Sequence, residues 1–144
     1  MANFTCPACK TKSACPLPDK GGKHAIACKK CGVSLTCNRV RIRAKRSRGQ
    51  NGITSYRSFD VRVIRADGTE QLIQFVNAAY SDFELRAKDQ VAFIYRGPQL
   101  CSIYNLTIGI QYPVRRPNGT ALLVVVIGVV LAFFVIWMVV VANR

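Results

Sequence analysis

The chain has 144 residues, with 21 lysines and arginines, 7 acidic residues and a formal net charge of +14 at pH 7. This length allows one domain or two small ones, and it excludes a large catalytic core. The acidic residues are few and scattered, and the sequence contains neither a Ser-His-Asp set nor a glycine-rich phosphate loop. We therefore expect a non-enzymatic protein, and we predict no small-molecule substrate.

The cysteines are concentrated at the start of the chain. Residues 1–38 contain six of the seven cysteines and few large apolar side chains. Two CxxC pairs, Cys6-Pro-Ala-Cys9 and Cys28-Lys-Lys-Cys31, are separated by 18 residues. Two such pairs can turn four sulfurs toward one ion, and this spacing is typical of a closed zinc site with four thiolate ligands. A segment with so few apolar residues needs a staple of this kind to fold.

The two pairs resemble the knuckles of the zinc-ribbon superfamily over residues 4–37. This resemblance implies that Cys6, Cys9, Cys28 and Cys31 bind zinc, and that the two knuckles cap a small antiparallel β structure. It implies a module rather than a function. Cys15 and Cys37 depart from the simple pattern, and each is either a replacement ligand or a free thiol.

Residues 39–112 favour a small β-barrel. The segment "RVRIRAK" alternates, which in a strand places Val40, Ile42 and Ala44 on one face and the basic residues on the other. "FDVRVI", a turn at Asp67-Gly68 and "EQLIQFV" predict a hairpin. After a helical or irregular connector, "VAFIY" and "LCSIYNLTIGIQY" predict two more strands, the last with Ile108 and Ile110 in its apolar row. Three strands, a connector and two strands is the order of a five-stranded OB-like barrel, with an SH3-like barrel or an open sheet as the alternative.

The end of the chain predicts a membrane span. Residues 113–119 form a short linker, and we predict a transmembrane helix at 120–142. Residues 121–142 contain no charge or amide, and at ~1.5 Å per residue they are long enough to cross a bilayer core of roughly 30 Å. Because the first residues lack the pattern of a cleaved signal, we expect a tail-anchored, single-pass protein.

The distribution of charge predicts the orientation of this span. Lysines and arginines number 20 before the span and one after it. The positive-inside rule therefore places the N-terminal domains in the cytoplasm or stroma and the C-terminus on the opposite side. Such a reducing compartment disfavours disulfides and favours metal ligation by the clustered cysteines.

A row of basic residues is the candidate binding surface. We predict that it contacts an anionic partner or lipid through Arg39, Arg41, Arg43, Lys45, Arg46, Arg48, Arg115 and Arg116. The predicted function is that of an accessory subunit of a larger membrane protein complex, docking on an acidic partner or on anionic lipid head groups. Two alternatives stay open: a membrane-tethered module that binds single-stranded nucleic acid such as RNA, or a strand face that is merely solvated.

Overall fold

The computed structural model describes residues 3–12, 15–50, 56–78 and 82–115. Within these ranges the protein is a small, mostly antiparallel β-sheet protein with a cysteine cluster at its N-terminus. No helix in the described ranges is long and apolar enough to cross a membrane. The helix predicted at 120–142 lies outside them. The strands that they contain are β1 (Asn3–Phe4), β2 (Cys15–Pro16), β3 (Gly22–Ala27), β4 (Ser34–Gln50), β5 (Tyr56–Ile64), β6 (Glu70–Asn77), β7 (Gln90–Arg96), β8 (Gln99–Asn105) and β9 (Ile110–Pro113).

Strand β4 organises the main sheet. β1 pairs only with β2, whereas the other strands form one antiparallel sheet in the order β6-β5-β4-β7-β8-β9, with β3 also paired to β4. Along one edge, β4 pairs first with β3 and then with β5, and its other edge pairs with β7. The predicted domain boundary between residues 38 and 39 falls inside this 17-residue strand. One strand therefore continues from the cysteine-rich segment into the sheet that follows.

A β-bulge in β4 changes which side chains face inward. A register shift between Ile42 and Ala44 leaves Arg43 without an opposite residue on β5. Such an extra residue reverses the alternation of faces beyond it. Val40 and Ile42 are buried as predicted, but Ala44 is exposed and Lys45 is half-buried. The expectation that Ala44 shares a face with Val40 and Ile42 is therefore wrong.

The predicted last strand is interrupted by a turn. β8 ends at Asn105, and the N–H of Gly109 donates to the carbonyl of Asn105 at 2.8 Å before β9 begins. Gly109 has a φ of 72°, a conformation that glycine adopts without strain. Ile108 and Ile110 are consequently exposed, and their predicted place in the apolar row is wrong.

Two separate cores lie on opposite faces of the sheet. The aromatic core contains Val40, Ile42, Phe59, Val61, Val63, Ile73, Phe83, Leu85, Val91, Phe93, Leu100 and Ile103, with Phe75, Tyr95, Tyr112 and Val114 packed against it. The cysteine core contains Phe4, Cys6, Cys15, Leu17, Cys28, Leu35, Cys37, Ala92 and Ile94. Strand β7 supplies residues to both cores, because its successive side chains point to opposite faces. It is therefore buried on both sides.

The sheet curls until its outer strands meet at one end. The N–H of Ala78, just after β6, donates to the carbonyl of Arg115 at 2.7 Å. The N–H of Arg115, just after β9, donates to Oδ1 of Asn77 at 2.9 Å. These bonds place the point at which the described chain ends, at residue 115, beside the end of β6.

Candidate metal centre

The two CxxC segments form turns of the same construction. In the first knuckle the N–H of Lys10 donates to the carbonyl of Cys6 at 2.9 Å, and in the second the N–H of Gly32 donates to the carbonyl of Cys28 at 2.9 Å. The N–H of each first cysteine also donates to the carbonyl five residues later, at 3.0 and 3.1 Å. Matched backbone bonds therefore orient both pairs of sulfurs in the same way.

The residue after each pair adopts the left-handed conformation. Gly32 has a φ of 70° and Lys10 a φ of 60°. Glycine adopts this conformation freely, but in a lysine the Cβ approaches the following carbonyl, at a cost of about 1–2 kcal/mol. The first knuckle therefore keeps a strained residue at the position where the second has glycine.

The four sulfurs of the knuckles lie close together. All four Sγ atoms of Cys6, Cys9, Cys28 and Cys31 are within 4.8 Å of one another. The Sγ atoms of Cys6 and Cys31 are 3.9 Å apart, and those of Cys9 and Cys28 are 3.8 Å apart. Ligands at ~2.3 Å on the corners of a tetrahedron are about 3.8 Å from one another. The prediction that these four cysteines come together is confirmed, and they can hold a metal ion.

Such an ion would join two distant parts of the chain. The first knuckle follows β1, and the second is the turn between β3 and β4. Each of the two short sulfur–sulfur distances joins one cysteine from each knuckle. Four protein ligands leave no open coordination position, which is the property of structural rather than catalytic sites. The arrangement can therefore staple the N-terminal segment to the main sheet.

Cys9, Cys28 and Cys31 differ in the direction in which their surroundings shift the pKa of the thiol. A hydrogen bond with the Thr11 hydroxyl lowers the pKa of Cys9, and the backbone N–H groups of Cys31 and Lys30 lower the pKa of Cys28 to about 6. The backbone N–H of Val33 lowers the pKa of Cys31, but lost hydration and hydrogen bonds with the other sulfurs outweigh it and raise this pKa to about 11. Cys28 thus loses its proton more readily than Cys31, and an ion that binds all four sulfurs must displace the protons that remain.

Cys15 and Cys37 are buried but lie outside the group of four. The pKa of Cys15 is raised to about 12, mainly by burial and to a smaller extent by a hydrogen bond with Cys28 and the negative charge of the Cys28 thiolate. Burial also raises the pKa of Cys37 to about 11. All seven cysteines lie in the described ranges, and none of them forms a disulfide. The structure therefore places Cys15 beside the cluster as a protonated, buried neighbour.

Two side chains fasten the N-terminal segment to the sheet. Nη1 of Arg39 donates to the carbonyls of Pro18 and Asp19 at 2.9 and 2.7 Å. The Gln111 amide bonds to both backbone groups of Thr5, accepting from its N–H at 2.7 Å and donating to its carbonyl at 2.9 Å. Sequence reasoning assigned Arg39 to anion binding and missed Gln111, because the partners of both residues are distant in sequence.

Some residues of the predicted basic row form ion pairs with acidic side chains, and others do not. Arg43 pairs with Glu70 at 2.8 Å, and the bulge turns Lys45 toward Asp82, which it contacts at 2.9 Å. Arg41, Arg46 and Arg48 are exposed and make no ion pair within the described ranges. Arg115 is also exposed, and Arg116 lies outside the described residues.

An arginine face remains on the outer surface of β4 and β5. We define it as Arg41, Arg43, Arg46, Arg48 and Arg62, all exposed. Arg62 was missed, although its place between Val61 and Val63 in an alternating strand indicates an outward side chain. The adjacent strand β6 adds Leu72 and Val76, which are 50% and 36% exposed. The surface is thus both cationic and partly apolar.

No protein-family model matches this chain, and neither a curated protein nor a solved structure matches it significantly. Its function is therefore inferred from its own residues, and two features are available for that inference. One is the four-cysteine cluster, and the other is the arginine face on β4 and β5.

Proposed function

We propose that the protein is a non-enzymatic, membrane-anchored accessory subunit of a membrane complex, whose arginine face docks on anionic lipid head groups. The arginine face carries this proposal, because Arg41, Arg46, Arg48 and Arg62 have no acidic partner in the described ranges. Each lysine or arginine close to an anionic leaflet contributes about 1 kcal/mol. Leu72 and Val76 beside these arginines suit the apolar boundary beneath the head groups.

The end of the described chain supports a position close to the membrane. Arg48 and Val76 lie on the same cross-strand row, on either side of Ser58. Arg115 bonds to Asn77, the residue after Val76, so the chain leaves the sheet at this end of the arginine face. The four residues 116–119 reach at most ~13 Å before the predicted span begins. A span at 120–142 would therefore hold Arg48 near the head groups, where salt screening extends over about 8 Å.

We propose zinc as the metal of the four-cysteine cluster, and a zinc ribbon as the module that contains it. Tetrahedral sites with four sulfur ligands suit zinc or iron–sulfur chemistry, and the CxxC spacing is that of zinc knuckles. The role of the ion is structural. It would hold the N-terminal segment against β4, so that Arg39 and Gln111 keep their bonds to that segment.

The order of the strands favours an OB-type barrel over an SH3-like one. β4, β5 and β6 follow one another as paired neighbours, and β7 returns after residues 78–89 to lie on the other side of β4. The spatial order β7-β4-β5-β6 is that of a Greek key, and an OB fold is a partly open Greek-key barrel of five strands. β8 supplies the fifth strand.

Burial of the aromatic side chains favours lipid over single-stranded RNA as the partner. Proteins that bind single strands stack bases on exposed aromatic rings. In the described ranges every phenylalanine and tyrosine is buried or half-buried. The arginine face has aliphatic neighbours instead, in Leu72 and Val76.

The test places the full-length protein in nanodiscs that carry spin-labelled head groups, with and without 30% phosphatidylserine. We expect the amide signals of Arg48 and Val76 to broaden more strongly when the anionic lipid is present, because the short linker already keeps them near the head groups and the charge draws them closer. The triple variant Arg46→Gln, Arg48→Gln, Arg62→Gln should lose this increase in broadening. A matched triple variant outside the arginine face, Arg86→Gln, Lys88→Gln, Arg96→Gln, should keep it.

Broadening that does not depend on phosphatidylserine would overturn the lipid assignment. In the same nanodiscs, tight binding of an oligouridylate that only the first triple variant loses would instead identify the arginine face as a nucleic-acid surface.

A further inference from the structure

A cavity of about 630 Å³ opens at the end of the curled sheet opposite the exit of the chain. Its floor is formed by cross-strand neighbours on β3, β4 and β7, namely Lys23, Thr36, Asn38 and Tyr95. Its walls are the turn between β5 and β6 and the turn between β7 and β8. The cavity contains no cysteine and no member of the arginine face, so it is independent of both features. The mouths of β-barrels are frequent ligand sites, and pockets of this size hold small organic molecules.

Two cations line the cavity, and one of them is held in position. Nε of Arg65 donates to Oε1 of Gln71 at 2.9 Å, which leaves the terminal guanidinium nitrogens without a hydrogen-bond partner in the described ranges. Such a pair of N–H donors matches the oxygens of a phosphate or carboxylate. Asp67 also lines the cavity and feels the charge of Arg65, but its carboxylate is hydrogen-bonded by the N–H and hydroxyl of Thr69 at 2.9 and 2.6 Å. The carboxylate is therefore directed into its own turn.

The floor offers groups that suit a planar, polar ring. Asn38 and Thr36 are half-buried, and their side chains make no hydrogen bond within the described ranges. Half-buried polar groups without a protein partner are available to a ligand. Tyr95 is also half-buried and lines the same cavity, which places an aromatic surface beside these polar groups. Aromatic rings stack favourably in offset arrangements.

Close packing of the backbone pre-forms the wall that carries Arg65. A Cβ added to Gly21, just before β3, would lie 3.2 Å from the Cβ of Ala66. The absence of a side chain at Gly21 therefore lets the turn approach β3 closely. The N–H of Arg65 also donates to the carbonyl of Thr69 at 2.9 Å. A side chain held by a closed turn loses little freedom on binding a ligand.

From these observations we infer that the cavity binds a small organic phosphate that carries a planar ring, of the size of a mononucleotide. The phosphate contacts Arg65 and Lys23, the ring stacks on Tyr95, and the edge of the ring bonds to Asn38 and Thr36. This inference does not depend on the metal or on the lipid-binding role, because none of these residues takes part in either.

The test titrates AMP into the full-length protein in mild detergent, followed by calorimetry and by the amide signals of Thr36, Asn38 and Gly97. We expect Arg65→Gln and Lys23→Gln each to weaken binding about tenfold or more, because hydrogen bonds between charged groups are strong. Arg62→Gln removes the same charge three residues earlier, on the outer face of the same hairpin, and should leave the affinity unchanged. Both groups of variants alter exposed side chains, so folding is retained.

Separate titrations with inorganic phosphate and with adenosine divide the ligand into its two parts. We expect each to bind more weakly than AMP. Absence of AMP binding at millimolar concentration, or equal loss in Arg65→Gln and Arg62→Gln, would overturn the inference. So would phosphate binding as tight as that of AMP, because the ring would then contribute nothing.

Discussion

The two cores share a sheet but are stabilised by different means. In the cysteine core, four of the nine buried residues are cysteines, and only four are large apolar residues, against twelve in the aromatic core. In the aromatic core, Phe59 stacks on Phe75 and Phe83 with ring centroids 5.0 and 4.8 Å apart, and cysteine is absent from its buried residues. A segment that buries little apolar surface depends on another stabilising element, whereas the aromatic core is sustained by burial alone. The contrast predicts that metal removal should destabilise the cysteine core but not the aromatic core.

Removal of the metal should have the largest effect and should be confined to the cysteine core. Chelation should cost roughly 10 kcal/mol of local stabilisation, because metal-binding energy in such modules is folding energy, and Cys9→Ser should cost part of this, because three thiolates remain. Amide hydrogen exchange of the full-length protein should become fast at Cys6 and Gly32 and stay slow at Val61.

The control for this experiment is Cys101→Ser, a cysteine outside the cluster, which should behave like the wild type. Unchanged exchange at both knuckles after complete chelation would contradict the proposed staple.

Truncating neighbouring residues of β7 should distinguish the two cores. Phe93 and Ile94 are both fully buried, but Phe93 faces the aromatic core and Ile94 the cysteine core. Phe93→Ala should cost about 3–5 kcal/mol whether or not metal is bound, and Ile94→Ala about 2–5 kcal/mol in the loaded protein only. Thermal unfolding with zinc and with chelator measures both. Equal metal dependence of the two variants would show that the cores are not separable.

Low pH should reduce the stability of the aromatic core by protonating Asp82. Partial burial raises the pKa of Asp82, but bonding to Lys45, together with the N–H of Phe83 and the charge of Arg57, outweighs it and lowers this pKa overall. The carboxylate therefore stabilises the fold above the ordinary aspartate pKa, and this contribution is lost as the pH falls through the lowered value. Asp82→Asn should cost about 1 kcal/mol at pH 7.

Urea unfolding of Asp82→Asn and the wild type at pH 7 and at pH 3 measures this difference. It should shrink at the lower pH. Metal release in acid affects both proteins and cancels in the comparison. A difference that stays constant with pH would mean that Asp82 acts through packing rather than through its charge.

The smallest expected effect is a gain of stability in the first knuckle. Lys10→Gly should relieve the left-handed strain and stabilise the loaded protein by up to about 1 kcal/mol, after allowance for the greater freedom of glycine when unfolded. The midpoint of metal-loaded urea unfolding measures it. Gly32→Ala, the reverse change at the equivalent position, should destabilise the protein, and equal midpoints for both variants would contradict the strain argument.

Local patterns predicted most of the strands, because alternation depends on residues close together in sequence. They also predicted the cysteine cluster, although its two knuckles are far apart in sequence, because the CxxC spacing within each knuckle is typical of metal ligands. The bulge at Arg43 was not predictable, since it depends on how β4 meets β5 and on no turn residue in the segment. The roles of Arg39 and Gln111 also depended on distant partners, Pro18 and Thr5. In β7, an unbroken apolar run from Val91 to Ile94 is typical of a strand buried on both faces, but the sequence analysis predicted only a strand there. The sequence could not indicate that one face of β7 packs against the cysteine core.

The uninterrupted course of β4 means that the cysteine-rich module is not portable. A cut between residues 38 and 39 would sever the strand in the middle of its pairing with β7. β7 would lose its partner along part of its length, and its unpaired backbone groups and exposed apolar side chains would promote self-association. Excision or grafting of the module should therefore carry the whole of β4 and β7, or it should yield aggregates rather than a folded metal-binding fragment.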